Sequence, residues 1–137
     1  MIYEAIVRVR YGETDKMGVV YHPNYYMYFE IGRTEFLREM GGMSYKDLED
    51  AGVMMPIIET RCKYNIPARY DDELTVYTSI ETMTVARITF TYKIIRKKDE
   101  AFIVEGETSL AFVNEDGRVI NMKKHNPQLF EKLKSFM

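Results

Sequence analysis

A chain of 137 residues with 46% hydrophobic and 29% charged residues is too apolar for disorder and large enough for one domain over residues 1–137. A formal net charge of −2 offers no concentrated basic surface, which argues against a nucleic-acid or anionic-membrane partner. The single cysteine, Cys62, excludes an intrachain disulfide framework and a multi-thiolate metal site, and the longest uncharged apolar run, Val53 to Ile58, is far short of the ~20 residues of a membrane span. With no signal-peptide pattern, a reduced cytoplasmic setting is the expectation.

Residues 2–10 alternate, with Ile2, Ala5, Val7 and Val9 set among Glu4, Arg8 and Arg10, which predicts a first strand. Gly12, the polar run Glu13–Lys16 and Gly18 then form a loop. A helix opens at Pro23 or Asn24: either Pro23 takes the first helical position with His22 as cap, or Asn24 caps and Tyr25 is first. Tyr25, Tyr28, Phe29, Gly32, Phe36, Leu37 and Met40 recur at helical spacing on one face, while Glu30, Arg33, Arg38 and Glu39 lie mostly off it. Gly41 and Gly42 end this helix after about 17 residues, roughly 25 Å. Ser44 to Asp47 has the form of a capped second helix that runs to about Ala51.

From Val53 the period becomes two. Ile58, Thr60, Cys62, Tyr64 and Ile66 share one strand face, and Cys62 on that face reads as a buried core thiol. Further strands follow at Leu74–Ile80, Ile88–Ile94 and Phe102–Phe112, separated by turns at Arg96–Asp99 and elsewhere. Asn126-Pro127 starts a C-terminal helix with Leu129, Phe130, Leu133 and Phe136 as its apolar face. One strand, one long helix and four strands argue an antiparallel α+β sheet. The helix covers one sheet face, and a second copy of the chain is the economical cover for the other.

Asp15 is the first candidate for chemistry. As an isolated loop aspartate it reads as a turn residue, but Tyr11 lies four positions before it, His22 seven after, and a helix start follows. The His22 ring is either a general acid or base or a cap, and its backbone N–H lies at the helix entrance, where an oxyanion would sit. Glu13 pairs with Asp15 only if the loop is extended, and a solvated Glu13 is the simpler reading. His22 and His125 are the only imidazoles and form no metal-ligand spacing, so no metal is expected. Arg96, Lys97 and Lys98 read first as a solvated turn; with Arg87 they are the best candidates for phosphate contacts.

The run Tyr11-Gly12-Glu13-Thr14-Asp15-Lys16-Met17-Gly18-Val19-Val20-Tyr21-His22-Pro23-Asn24-Tyr25 resembles the active-site loop of 4-hydroxybenzoyl-CoA thioesterase-like proteins, most closely the small bacterial acyl-CoA thioesterases called YbgC-type. The resemblance continues through Tyr28–Glu30, Arg33–Glu35 and Tyr64–Leu74. It implies a hotdog fold, a five- to six-stranded antiparallel sheet wrapped around one long central helix, paired into homodimers and often homotetramers with active sites at the dimer interface. It implies acyl-CoA as substrate, Asp15 as nucleophile or general base, the His22 N–H in the oxyanion hole, and Tyr11 and His22 beside the aspartate. Tyr21 and Tyr25 join His22 in the implied substrate-binding set, and no cofactor is implied. An acyl-carrier-protein thioesterase and a non-catalytic acyl-CoA-binding protein are the alternatives.

Overall fold

The computed structural model describes all 137 residues. In chain order the elements are β1 (Tyr3–Arg8), a 3-10 turn (Tyr11–Glu13), α1 (Asn24–Gly41), α2 (Tyr45–Asp50), β2 (Ile57–Tyr64), β3 (Glu73–Met83), β4 (Arg87–Arg96), β5 (Phe102–Ala111), α3 (Met122–His125) and α4 (Pro127–Lys134). The strands form one five-stranded antiparallel sheet in the order β1-β3-β4-β5-β2. α1, with 18 residues, is the only long helix.

Alternation decides the sheet's two faces. Leu74, Val76, Thr78 and Ile80 of β3 and Ile88, Phe90, Tyr92 and Ile94 of β4 are all buried on the inner face. α1 lies against that face with Tyr25, Tyr28, Phe29, Phe36 and Leu37 inward, and each such side chain contributes about 1.5–3 kcal/mol of burial. Phe29 stacks on Tyr92 with ring centroids 4.4 Å apart, and Phe36 meets Phe90 edge-on. At the helix end, the Gly42 N–H donates to the Arg38 carbonyl and the Met43 N–H to that of Leu37. α2 opens on a reciprocal box: Ser44 Oγ accepts from the Asp47 N–H, and the Asp47 carboxylate accepts from the Ser44 N–H.

Four expectations change. The outer sheet face is more polar than the expectation of a covering second copy assumed: it carries hydroxyl ladders, with Ser79–Thr91 at 2.9 Å and Thr89–Ser109 at 2.7 Å, beside the exposed Ile2 and Ile6. Arg33 is not off the buried face of α1; it is one of the helix's buried residues. Cys62 is only partly buried, because β2 is an edge strand with no fully buried residue along it. A short α3 also precedes the C-terminal helix, capped by Asn121 Oδ1 accepting from the Lys124 N–H.

Candidate active site

The loop between the 3-10 turn and α1 is tied down by its own backbone. Thr14 bridges to Val20, closing the loop on itself, and Val19 bridges to Arg69, tying it to the segment before β3; both bridges are antiparallel. The Val20 N–H donates to the Ala68 carbonyl at 2.8 Å and the Tyr21 N–H to that of Glu13 at 2.9 Å. Between the bridges, Gly18 turns the chain with φ of 76°, a conformation glycine enters without steric penalty.

That turn fixes Asp15. Its Oδ1 accepts from the Met17 N–H at 2.8 Å and from the Val19 N–H at 3.4 Å, the self-capping geometry of an Asx turn. Oδ2 accepts no hydrogen bond within the chain. One carboxylate oxygen is anchored and the other is left open.

α1 begins differently from either expected option. Pro23 is the N-cap, in helical conformation, and Asn24 is the first helical residue. The Asn24 side chain donates backward to the Glu13 carbonyl at 2.9 Å, stitching the helix start to the 3-10 turn. The Tyr25 N–H donates to the His22 carbonyl at 3.3 Å and Pro23 has no N–H, so the exposed His22 N–H is left without a partner just ahead of the helix. The positive end of the α1 dipole lies at this point.

Asp15 and His22 open onto one cleft of about 250 Å³, lined also by Met17, Val19, Val20, Tyr25, Tyr64, Asn65, Ile66 and Pro67. Its wall is aromatic. The His22 ring stands edge-on to both Tyr21 and Tyr64, and Tyr25 lies 5.7 Å from Tyr64. The Tyr25 hydroxyl accepts from the Ala68 N–H at 3.1 Å, and burial pushes its pKa up, so it is a neutral fixture of the wall. Burial likewise raises Tyr64, with Cys62 beside it adding to the effect. A larger depression lies on the outer sheet face; it is lined mainly by polar and charged side chains, of which Arg61 and Glu107 pair at 2.7 Å.

Other sequence candidates stand apart from this cleft. Tyr11 is 78% exposed and packs edge-on against Tyr70, outside the lining. Tyr21 is exposed and reaches the site only through the His22 ring. Glu13 is not a solvated partner of Asp15; its Oε1 accepts from the Tyr28 hydroxyl and from the Arg10 N–H, both at 2.9 Å. Arg87 begins β4 and Arg96 ends it, so the four basic residues make no joint patch. Arg96, only 12% exposed, pairs with Asp72 and Asp99, and Lys97 pairs with Glu73 at 2.9 Å, so these cations are already neutralised. Sequence reasoning missed Tyr64, Asn65 and Ile66 as cleft residues, although Tyr64 shared a strand face with Cys62; only pairing of the loop with the segment before β3 brings them in.

The "Thioesterase-like superfamily" profile matches residues 9–134. YneP of Bacillus subtilis is 32% identical over 121 residues, 88% of this chain and 87% of its own. The acyl-CoA thioester hydrolase YbgC of Escherichia coli is 37% identical over 93 residues, 68% of this chain and 69% of its own. The crystal structure of a DHNA-CoA thioesterase from Staphylococcus aureus superposes with a TM-score of 0.92 at 30% identity, covering 98% of this chain and 89% of that one.

Proposed function

Because the chain belongs to the thioesterase-like superfamily and is a thioester hydrolase, we propose that its substrate is an acyl-CoA and that Asp15 is the working carboxylate. The observation that carries this reading is the pairing of one free carboxylate oxygen with one free backbone N–H in a single apolar cleft. The relatives named for acyl-CoA substrates support the donor.

The thioester carbonyl oxygen sits at the His22 N–H, where the α1 dipole favours the negative charge that develops on it. Asp15 Oδ2 then acts in one of two ways. As general base it takes a proton from water while the water oxygen bonds to the carbonyl carbon; the C–S bond breaks, and the proton passes to the departing CoA thiolate. As nucleophile it bonds to the carbonyl carbon itself, expels the thiolate, and the resulting mixed anhydride is opened by water. Both routes give a free acid and CoA thiol. Both also need the aim that the Met17 and Val19 N–H groups impose on Asp15. The ring of His22, held between Tyr21 and Tyr64, forms part of the wall of the cleft that Asp15 opens onto.

The working unit in this reading is a homodimer. β2 is an edge strand whose outer backbone groups have no partner strand, and Ile57, Ile58, Tyr64 and Ile66 are exposed along or just beyond it. An uncovered edge strand of eight residues with exposed isoleucines at its start is a template for antiparallel pairing with a second copy. Tyr64 and Ile66 line the cleft, so such pairing places the cleft at the junction. Thiol release from a panel of short, long and aromatic acyl-CoAs tests the substrate class: turnover of at least one is expected, and none across the panel would overturn it.

A further inference from the structure

Arg33 is a buried cation that thioester chemistry leaves unused; it is 8% exposed. It stands on α1 eight residues beyond Tyr25, about 12 Å along the axis from the cleft. Its Nε donates to the Tyr45 hydroxyl at 2.6 Å, and its Nη1 donates to the hydroxyls of Tyr92 at 3.2 Å and Thr108 at 3.5 Å. Nη2 makes no hydrogen bond, and no carboxylate stands within ion-pair distance of the guanidinium. All three partners are neutral hydroxyls; burial, outweighing the pull of Arg33, holds Tyr45 and Tyr92 above the usual tyrosine range. Nη2 is not among the buried unpartnered atoms, so it keeps access to solvent, and the guanidinium presents an open donor with no counter-charge beside it.

Strand register links the surroundings of Arg33 to the cleft. On β2, Thr60 pairs across from Thr108 and Cys62 from Gly106, which puts both on the helix-facing side of the sheet. α1 does not cover them: Thr60 is exposed and Cys62 is half-buried. This strip starts at Tyr64, in the cleft wall, and ends next to the Thr108 hydroxyl that Arg33 holds.

We propose that Arg33 reads the far end of the acyl chain: the thioester held at Asp15 runs along the β2 strip, and acyl groups that end in a carboxylate are preferred because that anion completes the guanidinium. This rests on the hydrolase reading above. A terminal hydroxyl would add a fourth neutral partner and leave the charge uncompensated, whereas a carboxylate supplies both acceptor and charge. The separation along α1 fits chains of about six to ten carbons, less for the reach of the arginine stem toward the helix N-terminus. Glu30, one turn earlier, is exposed and forms no ion pair, and Glu30→Gln controls for its swinging onto Arg33.

The test compares ω-carboxyacyl-CoAs with methyl-terminated acyl-CoAs of equal length, by kcat/KM for thiol release and by calorimetry with thioether analogues that cannot be hydrolysed. The wild type favours the ω-carboxy series by at least about tenfold, the factor of one charge-assisted hydrogen bond, and Arg33→Gln abolishes that ratio in both readouts. Absence of the preference in the wild type, or its survival in Arg33→Gln, would overturn the assignment. Turnover of neither series with the binding preference intact would fault the hydrolase reading and leave Arg33 standing. Should Arg33→Gln fail to fold by circular dichroism, Arg33→Lys keeps the charge without the planar fork and must narrow the ratio; an unchanged ratio there counts against the proposal.

Discussion

Gly106 shows how closely side chains on α1 approach the sheet. A Cβ built there would meet the Arg61 carbonyl oxygen at 2.6 Å and the Phe29 ring at 2.6 Å. β-propensity alone makes glycine the poorest choice in the middle of β5, yet packing wins, because the space above it is filled by a fully buried phenylalanine. Gly106→Ala is therefore expected to destabilise the fold by about 1–3 kcal/mol, read as a drop in the chemical-denaturation midpoint. Arg33 runs the other way: Arg33→Met removes an unneutralised buried charge of similar volume, and its melting temperature is expected to equal or exceed the wild type's. Neither residue's environment was legible in the sequence. Helical spacing places a side chain at an angle on a helix, but not the hydroxyls of Tyr45, Tyr92 and Thr108, which come from distant segments and let a guanidinium lie inward.

Among the elements, the β4–β5 turn is held by charge where the sequence read first a solvated turn and then a set of phosphate contacts. Arg96 donates to Asp99 from Nε and Nη2, both at 3.0 Å, and from Nη1 to Asp72 at 3.1 Å. Hydrogen bonding to Arg96 holds the Asp99 carboxyl below the usual aspartate range. A depressed folded-state pKa contributes stability above the unfolded value and loses it as pH falls through the folded one. Asp99→Asn should consequently melt earlier than the wild type near neutral pH, with the gap closing in acid as the pH falls below the usual aspartate range. The long helix and the strands from Leu74 onward were legible because each has a covered and an uncovered face, and that contrast writes the period. β2 has no covered face along its length, so its alternation carried no information about burial, and Cys62 was misread as core. The start of α1 was ambiguous for a related reason: Asn24 is a good cap, but its side chain is drawn off to Glu13 by the 3-10 turn.

For the whole molecule, the loop that carries Asp15 and His22 was legible as a candidate site, since both belong to one short run with a recognisable pattern, and the structure opens both onto one cleft. The cleft's other wall was not, because Tyr64–Pro67 join it only after the Val19–Arg69 bridge has formed. In the dimer reading, Ile58→Lys on the exposed edge of β2 should shift sedimentation from dimer toward monomer and lower thiol release in parallel, whereas a monomeric wild type would remove that reading. The role of Asp15 is read most plainly from kcat for Asp15→Asn on an acyl-CoA the wild type turns over. The substitution leaves the amide oxygen able to accept from the Met17 and Val19 N–H groups, so the loop should hold and near-ultraviolet circular dichroism should match the wild type. With the fold intact, kcat is expected to fall by about 10²–10⁴-fold. Hydrolysis by folded Asp15→Asn within a few-fold of wild type would contradict the account.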